Sequence, residues 1–185
     1  MGHRKTYRSE LQACAVEHHG YVTMDDTVRL GIPDDVLERL VERGELVSVG
    51  EALFRLDGVP RSQRRRLAEA VLRVGPDAYL SHDAVLSLHE LTDHDPQRVR
   101  VSTPRPVPAI PTQWPGDLEV FHRDVPAEDL TTYRGIRSTT VARALLDCAL
   151  LLTRRELTDA ADAAVERGLL LRRERHAVLA ALDAD

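Results

Sequence analysis

The chain has 185 residues and a net charge of −5, which suits one large or two small domains with ordinary cores. No signal-peptide core or membrane-length apolar run is found, and the two cysteines, Cys14 and Cys148, lie in apolar helical patterns typical of buried thiols in a reducing compartment. We therefore expect a cytoplasmic protein without a disulfide, a metal site, a cofactor or a membrane partner.

Residues 7–56 have the order of a winged helix-turn-helix. A helix from about residue 7 to residue 19 is followed by a short one over residues 24–30, for which Thr23 is the predicted cap. A second short helix starts at Pro33 and stops at Gly44, and its stripe of apolar residues is centred on Leu40. Two strand-like runs, 46–49 and 52–56, then flank a turn and predict the wing. The alternative is a small helical domain with a hairpin and no role in nucleic-acid binding.

The charges of this region fit DNA binding poorly. Residues 1–60 hold seven basic and eleven acidic side chains, and the predicted outward face of the second short helix carries Asp35, Glu38, Arg39 and Glu42. If DNA is bound, Arg39 and Arg43 are the expected base readers, and two basic clusters are expected on the phosphates. The first cluster is Arg4, Lys5 and Arg8, and the second is Arg61, Arg64, Arg65 and Arg66. The alternative for each cluster is a solvated helix face that binds no DNA.

After residue 59 the pattern changes to a predicted α+β domain over 60–185. Helices are expected over 61–74 and over 83–91, the second capped by Ser81, followed by strands around 99–101, 118–122 and 133–137. A proline-rich segment with the only tryptophan, Trp114, separates the first two strands. Ser138 or Thr139 is expected to start a helix that reaches residue 152. A capping box at Thr153 opens the next, which stops at Gly168, and a last helix covers 172–182.

No active site is expected in either domain. Ser81 and His82 invite comparison with a hydrolase, but neighbouring residues on a helix point in different directions and no glycine elbow surrounds the serine. The eight histidines show no ligand spacing to cysteines or carboxylates, and there is no phosphate-binding glycine loop. The sequence therefore predicts a protein that is not an enzyme.

Six segments together resemble the AbiEi family of antitoxins. They occur in that family's order over about residues 18–170, and the third and fifth are the most specific. The segments are GYVTMDDTVRLGI, LERLVERGELVSVGEALFRLDG, YLSHDAVLSLHEL, RVRVSTP, IRSTTVARALLDCALL and ADAAVERGLL.

The resemblance implies the antitoxin of a bicistronic system whose toxin is nucleotidyltransferase-like. It also implies an N-terminal winged helix that represses the system's own promoter at inverted repeats, although the acidic helix face departs from the family pattern. An acidic chain suits a toxin cleft that binds nucleotides, and the side chains expected to contact the toxin are Trp114, Glu156, Asp159, Asp162 and Glu166. Two alternatives remain: a stand-alone winged-helix regulator without a toxin, and a fragment of an enzyme that has lost its catalytic domain.

Overall fold

The computed structural model describes residues 7–50, 52–58, 63–92, 97–106 and 117–183. These residues form eight α-helices and eight strands in two sheets, which confirms the predicted α+β class. The chain divides into two compact units, unit 1 from Met1 to Arg73 and unit 2 from Val74 to Asp185. Within the described ranges, no helix is both long and apolar enough to cross a membrane.

Unit 1 contains a three-stranded antiparallel sheet and four helices. The central strand of the sheet is the third in sequence, because the strand order is β1-β3-β2. In chain order the elements are α1 (Tyr7–Glu17), β1 (Tyr21–Thr23), α2 (Met24–Arg29), α3 (Asp34–Glu42), β2 (Leu46–Gly50), β3 (Leu53–Leu56) and α4 (Gln63–Val74, whose last residue falls in unit 2).

Local signals in the sequence explain the ends of the short helices. Thr23 caps α2 as predicted, since its hydroxyl accepts a hydrogen bond from the backbone of Asp26 and the Asp26 carboxylate accepts one in return. Pro33 is the residue before α3 rather than its first residue. Gly44 follows α3 with a φ of +70°, a conformation that glycine adopts without steric cost. The loop between α2 and α3 is therefore short, and both helices have defined ends.

The core of unit 1 lies between the sheet and helices α1 and α3. Leu37 is its buried residue from α3, whereas Leu40, the predicted centre of the stripe, is only partly buried. Buried side chains of this core come from α1, the sheet, the α2–α3 turn and α3: Leu11, Ala15, Val22, Ile32, Leu37, Leu46, Phe54 and Leu56.

Helix α4 joins unit 1 through polar contacts with β1. The Tyr21 hydroxyl donates a hydrogen bond to the Glu69 carboxylate, which also accepts one from Arg73 at 2.8 Å. The Arg65 guanidinium lies over the Tyr21 ring, 5.4 Å from its centroid. Burial and the Glu69 carboxylate together raise the pKa of Tyr21 to about 12. The division of the chain into two compact units therefore places α4 in unit 1. The predicted domain boundary, after residue 59, lies before this helix.

Unit 2 is built on a mixed five-stranded sheet of order β6-β5-β4-β8-β7. β4 pairs antiparallel to β5 and parallel to β8, β5 pairs parallel to β6, and β7 and β8 form an antiparallel hairpin. The strands are β4 (Tyr79–Leu80), β5 (Arg98–Thr103), β6 (Asp117–His122), β7 (Leu130–Tyr133) and β8 (Ile136–Thr139). The helices are α5 (Asp83–Leu88), α6 (Val141–Asp147), α7 (Arg154–Glu166) and α8 (Arg172–Leu182).

Three predictions for the helix starts and strands of unit 2 are wrong. Ser81 does not cap α5: His82 precedes that helix with a φ of +55° and makes no capping bond, while the Ser81 side chain is buried. The expected strand over 133–137 spans a turn at Arg134 and Gly135, where both residues have positive φ and the chain reverses. Ser138 and Thr139 belong to β8, so Thr140 caps α6.

Candidate functional site

Helix α3 presents an acidic surface, as the sequence indicated. Asp35, Glu38 and Glu42 are exposed, and so is Asp34 in the first turn. Arg39 is exposed too, but its guanidinium lies 2.9 Å from the carboxylate of Asp35 one turn earlier. A base would have to compete with that carboxylate for the guanidinium.

Arg43 lies just past α3, beside Arg8 from α1. Both line a hollow of about 380 Å³ that also contains Glu45 and Asp57. The Arg8 guanidinium is 3.2 Å from the Glu45 carboxylate, in an exposed ion pair of small energetic value. The structure therefore places one residue of the N-terminal basic cluster and one of the two expected base readers on the lining of the same hollow.

The arginines of the second basic cluster differ in how far they are buried. Arg64 and Arg66 are half-buried, while Arg65 is only 8% exposed and stacks on Tyr21. A guanidinium held in that position supports the packing of α4 and has little surface to offer a phosphate. The other residues expected on DNA, Arg4, Lys5 and Arg61, lie outside the described residues.

Helix α7 carries the carboxylates expected to contact the toxin, and the structure places them in different settings. Glu156 forms the predicted capping box with Thr153, whose backbone N–H and hydroxyl both lie 2.7 Å from the carboxylate. Asp162 accepts two hydrogen bonds from Arg175 on α8, at 2.5 and 3.1 Å. Glu166 is exposed near the end of the helix. Trp114 is outside the described residues.

An acidic groove brings two of these carboxylates together with a third that the sequence did not suggest. Glu156 and Asp159 line the groove, of about 410 Å³, with Glu90 opposite them. Arg167 is the basic residue of the lining and donates a hydrogen bond to the backbone oxygen of His89. Glu90 was missed because it follows α5, far from α7 in sequence. We use "acidic groove" below for the surface of Glu90, Glu156 and Asp159.

Exposed leucines lie in the loop between α6 and α7, beside the acidic groove. Leu150 is 99% exposed and Leu151 is 42% exposed, and Leu146 at the end of α6 is 36% exposed. Leu152, which follows Leu151, lines the groove itself. Large apolar side chains in this number on a short loop are typical of a contact surface for another macromolecule. The prediction of a helix that reaches residue 152 is therefore wrong, since α6 ends at Asp147.

The serine–histidine pair of unit 2 meets in the structure, contrary to the expectation that the two side chains diverge. His82 Nδ1 is 2.9 Å from the Ser81 hydroxyl, which also accepts a hydrogen bond from Ser102 at 2.8 Å. The left-handed backbone of His82 turns its ring back onto Phe121, with 4.6 Å between the ring centroids. Burial lowers the pKa of His82 below its ordinary value. Ser81 is only 1% exposed, so its hydroxyl does not face solvent.

A cluster of three potential metal ligands in unit 1 was not expected. Cys14 Sγ on α1 lies 3.7 Å from Nδ1 of His18, which directly follows α1, and His18 Nδ1 lies 3.3 Å from the Asp26 carboxylate on α2. All three ligand atoms are within 4.8 Å of one another. This cluster corrects the expectation that no histidine has ligand spacing to a cysteine or carboxylate: Cys14 and His18 are four residues apart, and the carboxylate comes from a different helix.

Electrostatic effects in this cluster favour a charged carboxylate. Burial alone would raise the pKa of Asp26, but hydrogen bonds from His18 and Thr23 outweigh it and hold that pKa below its usual value. The same bond to Asp26 raises the pKa of His18. Burial, with the nearby Asp26, raises the pKa of the Cys14 thiol to about 11. Arg29 completes the cluster, with its guanidinium 2.6 Å from Asp26 and 4.0 Å from Cys14 Sγ.

Compared with known proteins, the chain matches no family model and no curated protein.

Proposed function

We propose that the protein is the antitoxin of a two-gene system, that unit 2 counteracts a nucleotidyltransferase-like toxin, and that unit 1 is a winged helix that represses their promoter. The residues that resemble AbiEi antitoxins suggested this function, and the surface of unit 2 supports it. The observation that carries the antitoxin activity is the run of exposed leucines beside the acidic groove.

The antitoxin surface fits a basic protein partner. A protein that binds nucleotides or RNA has an electropositive cleft, which three clustered carboxylates attract through space. Leu150 and Leu151 would supply the apolar contact that makes such an encounter last, because desolvated apolar anchors dominate interface energies. Asp159 and Glu90 have arginine neighbours at 3.7 and 4.0 Å, in exposed pairs of small energetic value. Asp162 accepts two hydrogen bonds from Arg175 and is left out of this surface.

A growth experiment tests the antitoxin activity. The toxin gene, placed under an unrelated promoter, is expressed with the full-length protein, so that repression of the native promoter plays no part. We expect wild-type protein to restore growth and Leu150→Asp to lose that rescue, because a charge enters the apolar contact. Leu171→Asp, at a 53% exposed leucine outside the loop, is the matched control and should rescue fully. Failure of the wild-type protein to rescue, or full rescue by Leu150→Asp, would contradict the proposal.

The winged-helix proposal rests on the order of elements in unit 1. Two short helices joined by a tight turn, α2 and α3, precede a two-stranded hairpin, and β1 completes a small sheet with it. In this arrangement α3 is the helix that would enter the major groove. Its acidic face means that contacts would come chiefly from its edge, where Arg43 and Arg8 lie together.

DNA binding is tested with the protein's own upstream region and a scrambled duplex of equal length. Binding to the upstream region should weaken steeply as salt rises, because phosphate contacts release counterions. Arg43→Ala should reduce the preference for the upstream sequence by about 1–3 kcal/mol if this residue reads a base. Arg173→Ala, at an exposed arginine of α8, is the control and should bind as wild type. Absence of any preference for the upstream region at low salt would refute the repressor activity.

A further inference from the structure

We propose that Cys14, His18 and Asp26 form a binding site for a zinc ion between helices α1 and α2. The three side chains supply a thiol, an imidazole and a carboxylate, which are the three ligand types that zinc takes from proteins. This site is independent of the proposed function, since it involves neither the acidic groove nor the residues expected on DNA.

The distances between the ligand atoms suit a tetrahedral ion. Zinc bonds of 2.0 to 2.3 Å place neighbouring ligand atoms roughly 3.3 to 3.6 Å apart. The separations are 3.7 Å between Cys14 Sγ and His18 Nδ1 and 3.3 Å between His18 Nδ1 and Asp26. The third side of the triangle is within 4.8 Å, so closing it takes a shift of about 1 Å. Three protein ligands leave a fourth position for water.

The ligands are held in place by local contacts. Asp26 uses one carboxylate oxygen for Thr23 and His18 and the other for Arg29, so an ion would replace the His18–Asp26 and Arg29–Asp26 contacts. Cys14 lies on α1 and His18 directly follows that helix, with its backbone N–H bonded to the Cys14 carbonyl, while Asp26 is fixed at the start of α2 by its capping bonds with Thr23. Cys14 and Asp26 are buried, whereas the His18 side chain is 29% exposed, which leaves a path from solvent. A site with its ligands already ordered loses little conformational entropy when the ion arrives.

Arg29 occupies the role that the ion would take. Its guanidinium neutralises Asp26 and approaches Cys14, yet 67% of the side chain is exposed, so it can swing into solvent without breaking the core. On binding, a zinc–sulfur bond forms as the Cys14 S–H bond breaks, and the thiol proton passes to the buffer. The imidazole nitrogen of His18 likewise releases any proton that it holds. Affinity should therefore increase with pH.

Cobalt(II) is the probe for the test, because a thiolate–cobalt bond gives a charge-transfer absorption in the near ultraviolet. Titration of the reduced, metal-free, full-length protein should produce this band with one equivalent of cobalt, and zinc should then remove it. Cys14→Ala should lose the band. Cys148→Ala, at the other buried cysteine, is the matched control and should keep it.

Thermal unfolding provides a second measurement that does not depend on the absorption of cobalt. Zinc should raise the Tm of the wild-type protein and of Cys148→Ala, because an ion that binds only the folded state stabilises it. It should leave the Tm of Cys14→Ala and of His18→Gln unchanged, with circular dichroism to show that each variant is folded. No charge-transfer band in the wild-type protein, or an equal band in Cys14→Ala, would overturn the proposal.

Discussion

Two leucines only five residues apart in unit 2 lie in opposite environments. Leu145 is fully buried on α6, and Leu150 is 99% exposed in the following loop. We predict that Leu145→Ala lowers the free energy of unfolding of unit 2 by about 2–5 kcal/mol through lost contacts and a cavity. Leu150→Ala should change it by less than about 0.5 kcal/mol. Urea unfolding measures both, and an equal loss for the two variants would mean that Leu150 is packed in solution.

His82 should make unit 2 sensitive to acid. Its pKa is lowered chiefly by burial, with Arg100 and Arg123 acting in the same direction and Asp147 against them. The unfolded chain therefore binds a proton more readily than the folded one, so stability is highest above the ordinary pKa of 6.5 and is lost as pH falls below it.

Unfolding free energies measured in urea between pH 7.5 and pH 5 test this prediction. The wild-type protein should lose stability over that range more steeply than His82→Gln, which has no imidazole to protonate. Parallel slopes for the two proteins would show that His82 does not contribute. The NMR shift of its ring protons, which should titrate below pH 6.5, is an independent measurement.

At the scale of single elements, α7 owes its start to the capping box. The Thr153 hydroxyl accepts a hydrogen bond from the backbone of Glu156 at 3.3 Å. We predict that Thr153→Ala costs about 0.5–2 kcal/mol of stability, whereas Thr153→Ser, which keeps the hydroxyl, costs clearly less. Chemical unfolding distinguishes the two. Glu156 also lines the acidic groove, so under the proposed function loss of the cap should in addition weaken binding of the toxin. Binding as tight as that of the wild type would show that the cap serves stability alone.

The acidic face of α3 predicts that two substitutions strengthen DNA binding, whereas most substitutions at an interface weaken binding. If α3 approaches DNA, Glu38 and Glu42 face phosphates, and removing a like charge at about 4 Å in water changes the energy by about 1 kcal/mol. Replacement of both with Gln should therefore tighten DNA binding, on the order of fivefold or more at low salt, with the gain shrinking as salt rises. Fluorescence anisotropy measures it. Unchanged affinity would place α3 away from the DNA.

The sequence predicted the elements whose signals are local and missed those that depend on distant partners. The final helix and the Thr153 cap were predicted correctly, because a long apolar period and a capping box are contained within one segment. β1 and β4 have three and two residues, too short to show alternation. The boundary between β8 and α6 could not be predicted, because Ser138, Thr139 and Thr140 each carry a hydroxyl that can cap a helix.

The candidate sites follow the same rule. The acidic residues of α7 and the face of α3 were visible as helical patterns, but their partners were not. Glu90 reaches the acidic groove from the turn after α5, and Asp26 reaches Cys14 from α2. Arg65 belonged to a basic run in the sequence, yet the aromatic ring on which it packs comes from β1, more than forty residues earlier. Tertiary contacts of this kind decide which side chains of a charged run remain available to bind a partner.

At the scale of the whole molecule, the two units carry different charge. Residues 1–73 hold twelve basic and twelve acidic side chains, whereas residues 74–185 hold thirteen basic and eighteen acidic ones. The whole net charge of −5 therefore belongs to unit 2. The arginines of α4 balance the acidic N-terminal elements. This division suits a first unit that tolerates DNA and a second that attracts a basic protein.

The separate cores predict separate unfolding. Leu37→Ala removes a buried side chain of unit 1 and should increase amide hydrogen exchange throughout that unit. Exchange in the α6–α8 helices of unit 2 should stay at the wild-type rate, and Leu145→Ala should give the converse pattern. Equal acceleration in both units for either variant would show that the chain unfolds as one cooperative body.

The pairing of early with late segments sets when each unit can form during synthesis. The Tyr21 hydroxyl bonds to Glu69, so unit 1 stays incomplete at the ribosome until most of α4 has emerged. In unit 2, β4 at Tyr79–Leu80 is central in the sheet but pairs with β8, which begins at Ile136. At about 5–20 residues per second, this delay leaves one edge of the apolar β4 unpaired for several seconds. During that interval, between the completion of unit 1 and that of unit 2, the open edge of β4 can pair with a wrong strand.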